Sequence, residues 1–148
     1  MKRRVPRGER GTTLAEFAIA VTASMTLIAG TVEFGRGLYT FHLISNAARL
    51  ATRYAIVRGS SCTATGCPAT SNSIQTYVRS MTSELNTSNV AVTTTWSSST
   101  ECSGSPYQGP GCLVSVQVTY PFSFAPAIPL MPTFTMPITS TSKMIISQ

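Results

Sequence analysis

Glu16 is a carboxylate set in an apolar run that reaches Val32, and Gly11 stands five residues before it. In hydrocarbon a bare carboxylate costs at least ~2.5 kcal/mol unless it is protonated or paired. The helix macrodipole favours an acid in a first turn, but that does not account for apolar neighbours on both sides, Ala15 and Phe17. A partner arises if the chain is cut after Gly11, because the freed α-amino group of Thr12 would lie one helical turn from Glu16, on its own chain or a neighbour's. Glycine presents no side chain to clash in a peptidase cleft, which suits it to the position before a cut. Gly8 competes, but the residue at the same offset from it is Thr13 rather than an acid. The expected chemistry is therefore cleavage of the Gly11–Thr12 bond by another enzyme. Pairing of Glu16 with the new amine follows, with Phe17 beside it, and sets the register between subunits.

The remaining reactive residues give no catalytic set. His42 is the single histidine and there is no aspartate, so a Ser-His-Asp triad is ruled out. No phosphate loop and no carboxylate pair placed for acid–base work is present. The chain reads as a non-enzyme that needs no cofactor. The four cysteines fall as Cys62-x4-Cys67 and Cys102-x9-Cys112. Local pairing is the simplest of three connectivities. Zinc is the rival, but it usually wants a C-x2-4-C spacing and here would use every thiolate, so no metal site is expected. Glu33 and Arg36 form an i, i+3 pair, ordinarily a surface ion pair of a few tenths of a kcal/mol, and alternatively a contact to a neighbouring subunit or a headgroup. Arg49 and Arg53, one turn apart, read as a solvated flank or as a dock for an acidic patch on a partner.

The chain has 148 residues and a formal charge of +6. That excess invites a nucleic-acid reading, which its distribution opposes. Residues 1–11 hold five Lys/Arg against one Glu, whereas residues 12–148 hold six against four. Positive charge beside an apolar segment marks the cytoplasmic side of a membrane anchor. No RNA-binding aromatic motif or zinc-finger spacing appears, and no nucleic-acid partner is expected.

The elements that would position these groups follow from periodicity. Residues 1–11 read as a basic leader and 12–32 as a transmembrane helix, near the ~20 residues a bilayer needs. Thr22, Ser24, Thr26 and Thr31 interrupt its hydrophobicity, but hydroxyls bond back to helix carbonyls and tolerate lipid. Helical spacing continues through a stalk, residues 33–58, in which Phe34, Leu38, Phe41, Ala48 and Ala55 form the expected apolar stripe. The whole helix, Thr12 to about Val57, would span ~69 Å. Gly30, Gly35 and Gly37 favour a bend where membrane gives way to stalk, and Gly59-Ser60 stops the helix.

Residues 59–148 read as a disulfide-containing globular head, since four cysteines beyond a membrane segment suit an oxidising compartment. A second helix is expected over Ser73–Leu85, entered through Asn72-Ser-Ile-Gln75. Strands are expected at Val90–Trp96, Val114–Tyr120 and Thr139–Ile146. Pro121–Pro137 reads as a connection that a central strand could not contain. The fold class is α+β: a long N-terminal helix whose outer half packs on a small antiparallel sheet of about three strands, with a short second helix as cover.

Three stretches resemble a known family. They are Gly11 to Phe17, Val32-Glu33-Phe34-Gly35-Arg36, and Ser45-Asn46-Ala47-Ala48-Arg49 running to Arg53-Tyr54-Ala55. Together they resemble the TadE-like family of small pilin-related proteins from tight-adherence, Flp-type, pilus systems, itself similar to type IV pilins at the processing site. Val118-Thr-Tyr-Pro-Phe122 is similar to the family's late strand. The resemblance implies a minor pilin or pseudopilin, cut by a dedicated aspartic prepilin peptidase. It would be held in the bacterial inner membrane by a single pass, with its N-terminus cytoplasmic and its head periplasmic. Its implied partners are other pilin or pseudopilin subunits, the pilus assembly machinery and the lipid bilayer, and its implied activity is packing in or beside an extracellular pilus. The competing reading is a secreted or tethered binding domain whose first residues are an ordinary signal, cut after Ala23 or Ala29.

Overall fold

The computed structural model describes residues 9–102, 106–124 and 134–147. Its first element is one unbroken helix, α1 (Glu9–Ile56), of 48 residues, or about 72 Å. It begins earlier than the expected Thr12, so Gly11 is helical, and it runs hydrogen-bonded through Gly30, Gly35 and Gly37. The expected stop near Gly59 is close to the observed one.

The helix α2 (Ser71–Met81) starts two residues before the expected Ser73 because Thr70, not Asn72, is its cap. Thr70 accepts from the Ser73 amide at 3.2 Å, and the Thr70 amide donates to Ser73 Oγ at 2.9 Å, a reciprocal capping box. It ends before Leu85 because the C-capping Thr82 leaves helical geometry. Leu85 instead belongs to a following turn, its amide bonded to Thr82 O at 2.9 Å.

Three strands, β1 (Ala91–Ser97), β2 (Leu113–Ser123) and β3 (Thr135–Ile145), form an antiparallel sheet in that order. β2 and β3 are longer at the proline end than the sequence suggested: β2 contains Pro121 and β3 contains Pro137, paired with each other. Two facts make this compatible with prolines lacking an N–H. The bonds Ile146 N to Cys112 O and Phe124 N to Phe134 O put even-numbered β2 residues in the hydrogen-bonded pairs. Pro121 and Pro137 therefore form a non-hydrogen-bonded pair, with their nitrogens turned outward. On that outer side β1 has already ended, since its first residue Ala91 pairs with Thr119. The rule against proline in a central strand holds; the strand is simply no longer central there.

One face of the sheet is covered. α1 lies across β2 and β3, and α2 lies against α1 and β1. Val114, Val116 and Val118 of β2 are fully buried beneath Ile44, Ala47, Ala48, Ala51 and Ala55 of α1, with Ile74 and Val78 of α2 completing the core. Small residues on α1 let the helix approach the valines closely. The Thr52 hydroxyl even reaches Ser142 O across the layer at 3.4 Å. The opposite face carries exposed Thr93, Thr95, Gln117, Thr139, Thr141 and Lys143.

The stalk stripe differs from expectation in part. Ala48 and Ala55 are buried, but Phe34 (68% exposed), Leu38 and Phe41 are not. Residues seven apart drift only ~20° per heptad on a straight helix, so Phe34 and Phe41 stay near the angle of Ala48 and differ from it in height: they lie below the stretch from Ile44 to Ala55 that packs on the sheet.

Candidate functional site: the free helix and its junction with the sheet

Every residue of α1 from Gly11 to Ile28 is exposed. Leu14, Phe17, Ile19, Met25, Leu27 and Ile28 stand out from the helix with no covering element. The polar interruptions are closed off internally. Thr22, Ser24, Thr26 and Thr31 donate to the carbonyls four residues earlier at 2.7, 2.8, 2.9 and 2.8 Å. What the helix presents outward is therefore more apolar than its composition, which is what a lipid-facing segment requires. Ala18, Thr22, Thr26 and Gly30 recur every four residues, a small-residue spacing that lets another helix come close.

Gly11, Thr12, Glu16 and Phe17 lie together in the opening turns of α1. A Cβ at Gly11 would meet nothing within 4 Å, so the glycine is not there for packing within this chain. Thr12 and Glu16 are i, i+4 neighbours, and helical side chains lean toward the N-terminus. The carboxylate of Glu16 thus stands on the side of the helix from which the Thr12 nitrogen is reached.

The next cluster is where the free helix meets the sheet. Arg36 Nη1 donates to Glu33 Oε1 at 2.7 Å, with Glu33 mostly buried at 17% exposure. Glu33 Oε2 is buried and without a hydrogen-bond partner. The Arg36 guanidinium also lies 5.8 Å from the Phe122 ring centroid, and a Cβ at Gly37 would sit 3.9 Å from that same ring. The pair is therefore tied to the end of β2 and is more than a solvated contact. One turn on, the Tyr39 hydroxyl donates to Glu84 Oε2, linking α1 to the turn after α2. That bond, with some desolvation and the Glu84 charge, holds the Tyr39 hydroxyl above its ordinary value of 10.0. A polar cavity of about 270 Å³ lies here, bounded by Arg36, Tyr39, Glu84, Asn86, Tyr120 and Phe122.

Arg49 and Arg53 are exposed on the far flank of α1. The structure does not bring them to Glu33 or Arg36, and among the described residues Glu33–Arg36 is the ion pair observed. Sequence reasoning missed two contacts. One is Tyr39–Glu84, whose partners are 45 residues apart. The other is a stack in which Arg58 lies 3.9 Å over Tyr54, whose ring is 4.5 Å from Tyr77. Tyr39–Glu84 and Tyr54–Tyr77 leave no local pattern, since each joins separate elements, whereas Arg58 and Tyr54 are four residues apart and could have been read from spacing.

Cys62 and Cys67 are bonded, with Cα atoms 5.7 Å apart, as are Cys102 and Cys112 at 4.9 Å. Among the described residues no group of three or more His, Cys, Asp or Glu could hold a metal.

No curated protein and no solved structure matches the chain. The family model described as TadE-like protein does, over residues 11–53. That interval begins at the glycine, contains the whole free apolar helix, and ends in the part of α1 that packs on the sheet: residues 11–53 are a TadE-like segment.

Proposed function

We propose that this protein is a minor pilin or pseudopilin of a Tad, Flp-type, pilus, cut after Gly11 by a prepilin peptidase and held in the inner membrane by α1 until it joins or primes a filament. The TadE-like segment and the long apolar helix fit a Tad pilus-associated, membrane-anchored, single-pass protein. The observation that carries the finer reading is the full exposure of Gly11–Ile28 with its hydroxyls bonded internally. Such a surface is stable only in lipid or among similar helices, and moving between the two is what assembly requires. TadE-like pilus proteins are not known as enzymes, and the activity proposed here is association.

In this reading the basic residues before Thr12 stay in the cytoplasm, the sheet lies in the periplasm, and Glu16 meets the α-amine of a mature Thr12 during assembly. Gly11 sits in the first turns of α1. Helix ends fray, and glycine weakens a helix by ~1 kcal/mol, so the bond after it is one the peptidase reaches at small cost. Glu16→Ala is expected to leave membrane insertion intact and to abolish recovery of the protein with sheared pili or with partner subunits. Undiminished co-assembly of that variant would refute the role assigned to Glu16.

A further inference from the structure

We infer that the end of the β2–β3 hairpin is a second membrane contact: Phe124, Phe134 and Met136 enter the headgroup–acyl boundary of the leaflet from which α1 emerges. The inference rests on the reading of residues 12–32 as the anchor, and deepens it.

The argument starts from level. Thr52 meets Ser142, the partner of Val116, and Gly37 meets Phe122. From Thr52 to Gly37 the helix descends ~22 Å. From Val116 to Phe122 the strand descends ~20 Å. Helix and hairpin therefore run nearly side by side, and the hairpin points toward the free part of α1. Pairing continues past Phe122, with Phe124 N bonded to Phe134 O at 3.1 Å. Two more residues lower the chain by ~7 Å, to the level of Val32–Glu33, where the apolar run of α1 ends.

What sits at that level is an apolar surface open to its surroundings. Phe134, the partner of Phe124, is 63% exposed there, and Met136, the partner of Phe122 and one step higher, is 46% exposed. The rings of Phe122 and Phe124 are 5.1 Å apart, and those of Phe124 and Phe134 6.1 Å. Val32 and Phe34 of α1 are exposed as well. Residues 121–137 contain no charged side chain. A surface of this kind on an antiparallel hairpin suits interfacial insertion, in which rings enter the boundary and the strand bonds stay within the protein. Arg36, half exposed just above the rings, is placed for lipid phosphate. Two points of attachment would fix the tilt of the sheet relative to the bilayer, whereas a single helix leaves it free to swing.

The test uses the full chain in vesicles of phosphatidylethanolamine and phosphatidylglycerol, in a Trp96→Phe background. Phe134→Trp reports the hairpin, Met136→Trp repeats the measurement at a second exposed site, and Leu27→Trp reports the anchor. Lipids brominated near the carboxyl end of the acyl chain are expected to quench the indole at 134 and at 136, and deep-brominated lipids to quench only the indole at 27. Quenching at 27 with none at 134 and 136 overturns the inference and leaves the anchor reading standing. Blue-shifted but unquenched emission at 134 also overturns it, by showing contact with protein instead of lipid. Absence of quenching at all three positions overturns both.

Discussion

Glu33 shows how much a single side chain's meaning depends on what the fold brings to it. The i, i+3 spacing to Arg36 was readable in the sequence and forms at 2.7 Å. Its attachment to Phe122 was not, because nothing local links residues so far apart. Tyr39–Glu84 is the same case. The sign of its pH effect is set by which form the bond favours. Glu84 accepts from the neutral phenol, so the folded value lies above the unfolded 10.0. The contribution is complete below the unfolded value and disappears as pH rises through the folded one. Tyrosinate absorbance is expected to show Tyr39 titrating late, and Glu84→Gln to move it back toward the ordinary range. A titration identical in both proteins would mean that the bond is not made in solution.

At the scale of elements, the periodic signals carried most of the architecture and misplaced its edges. The long helix, the second helix and three antiparallel strands were legible because burial on one face imposes a period. The boundaries depended on contacts the period does not encode. Thr70 became the cap of α2 through its reciprocal bonds with Ser73. Pro121 and Pro137 stayed in strands because their nitrogens face away from any partner. The stalk stripe is buried only where the helix lies on the valines of β2: Ala48 and Ala55 are covered, while Phe34, Leu38 and Phe41 lie lower on the helix and stay exposed. This makes a contrast to test by chemical denaturation. Ala51→Leu, at a position with no exposed surface, is expected to destabilise the folded sheet and helices by ~1–3 kcal/mol through overpacking. Phe41→Ala, at an exposed position, is expected to change stability by less than ~0.5 kcal/mol. Equal effects would contradict the observed difference in burial.

For the whole molecule, the central feature is a division of α1 between two environments. Its outer half is bound into a core, and its first half has no covering element in a single copy. Such a chain is complete only with lipid or with other helices around it. Both disulfides lie beyond α1, which suits the periplasmic location proposed for the head, because disulfides persist in oxidising compartments. Intact mass is expected to rise by four alkyl groups only after reduction; alkylation of the unreduced protein would contradict that pairing.

The most direct test of the account is the N-terminus of the protein recovered from cell envelopes. Mass spectrometry of the N-terminal peptide is expected to find Thr12 first in cells with an active prepilin peptidase, and the residues before it retained in cells lacking one. A chain beginning just after Ala23 or Ala29, or one still carrying its leader in peptidase-proficient cells, would contradict it.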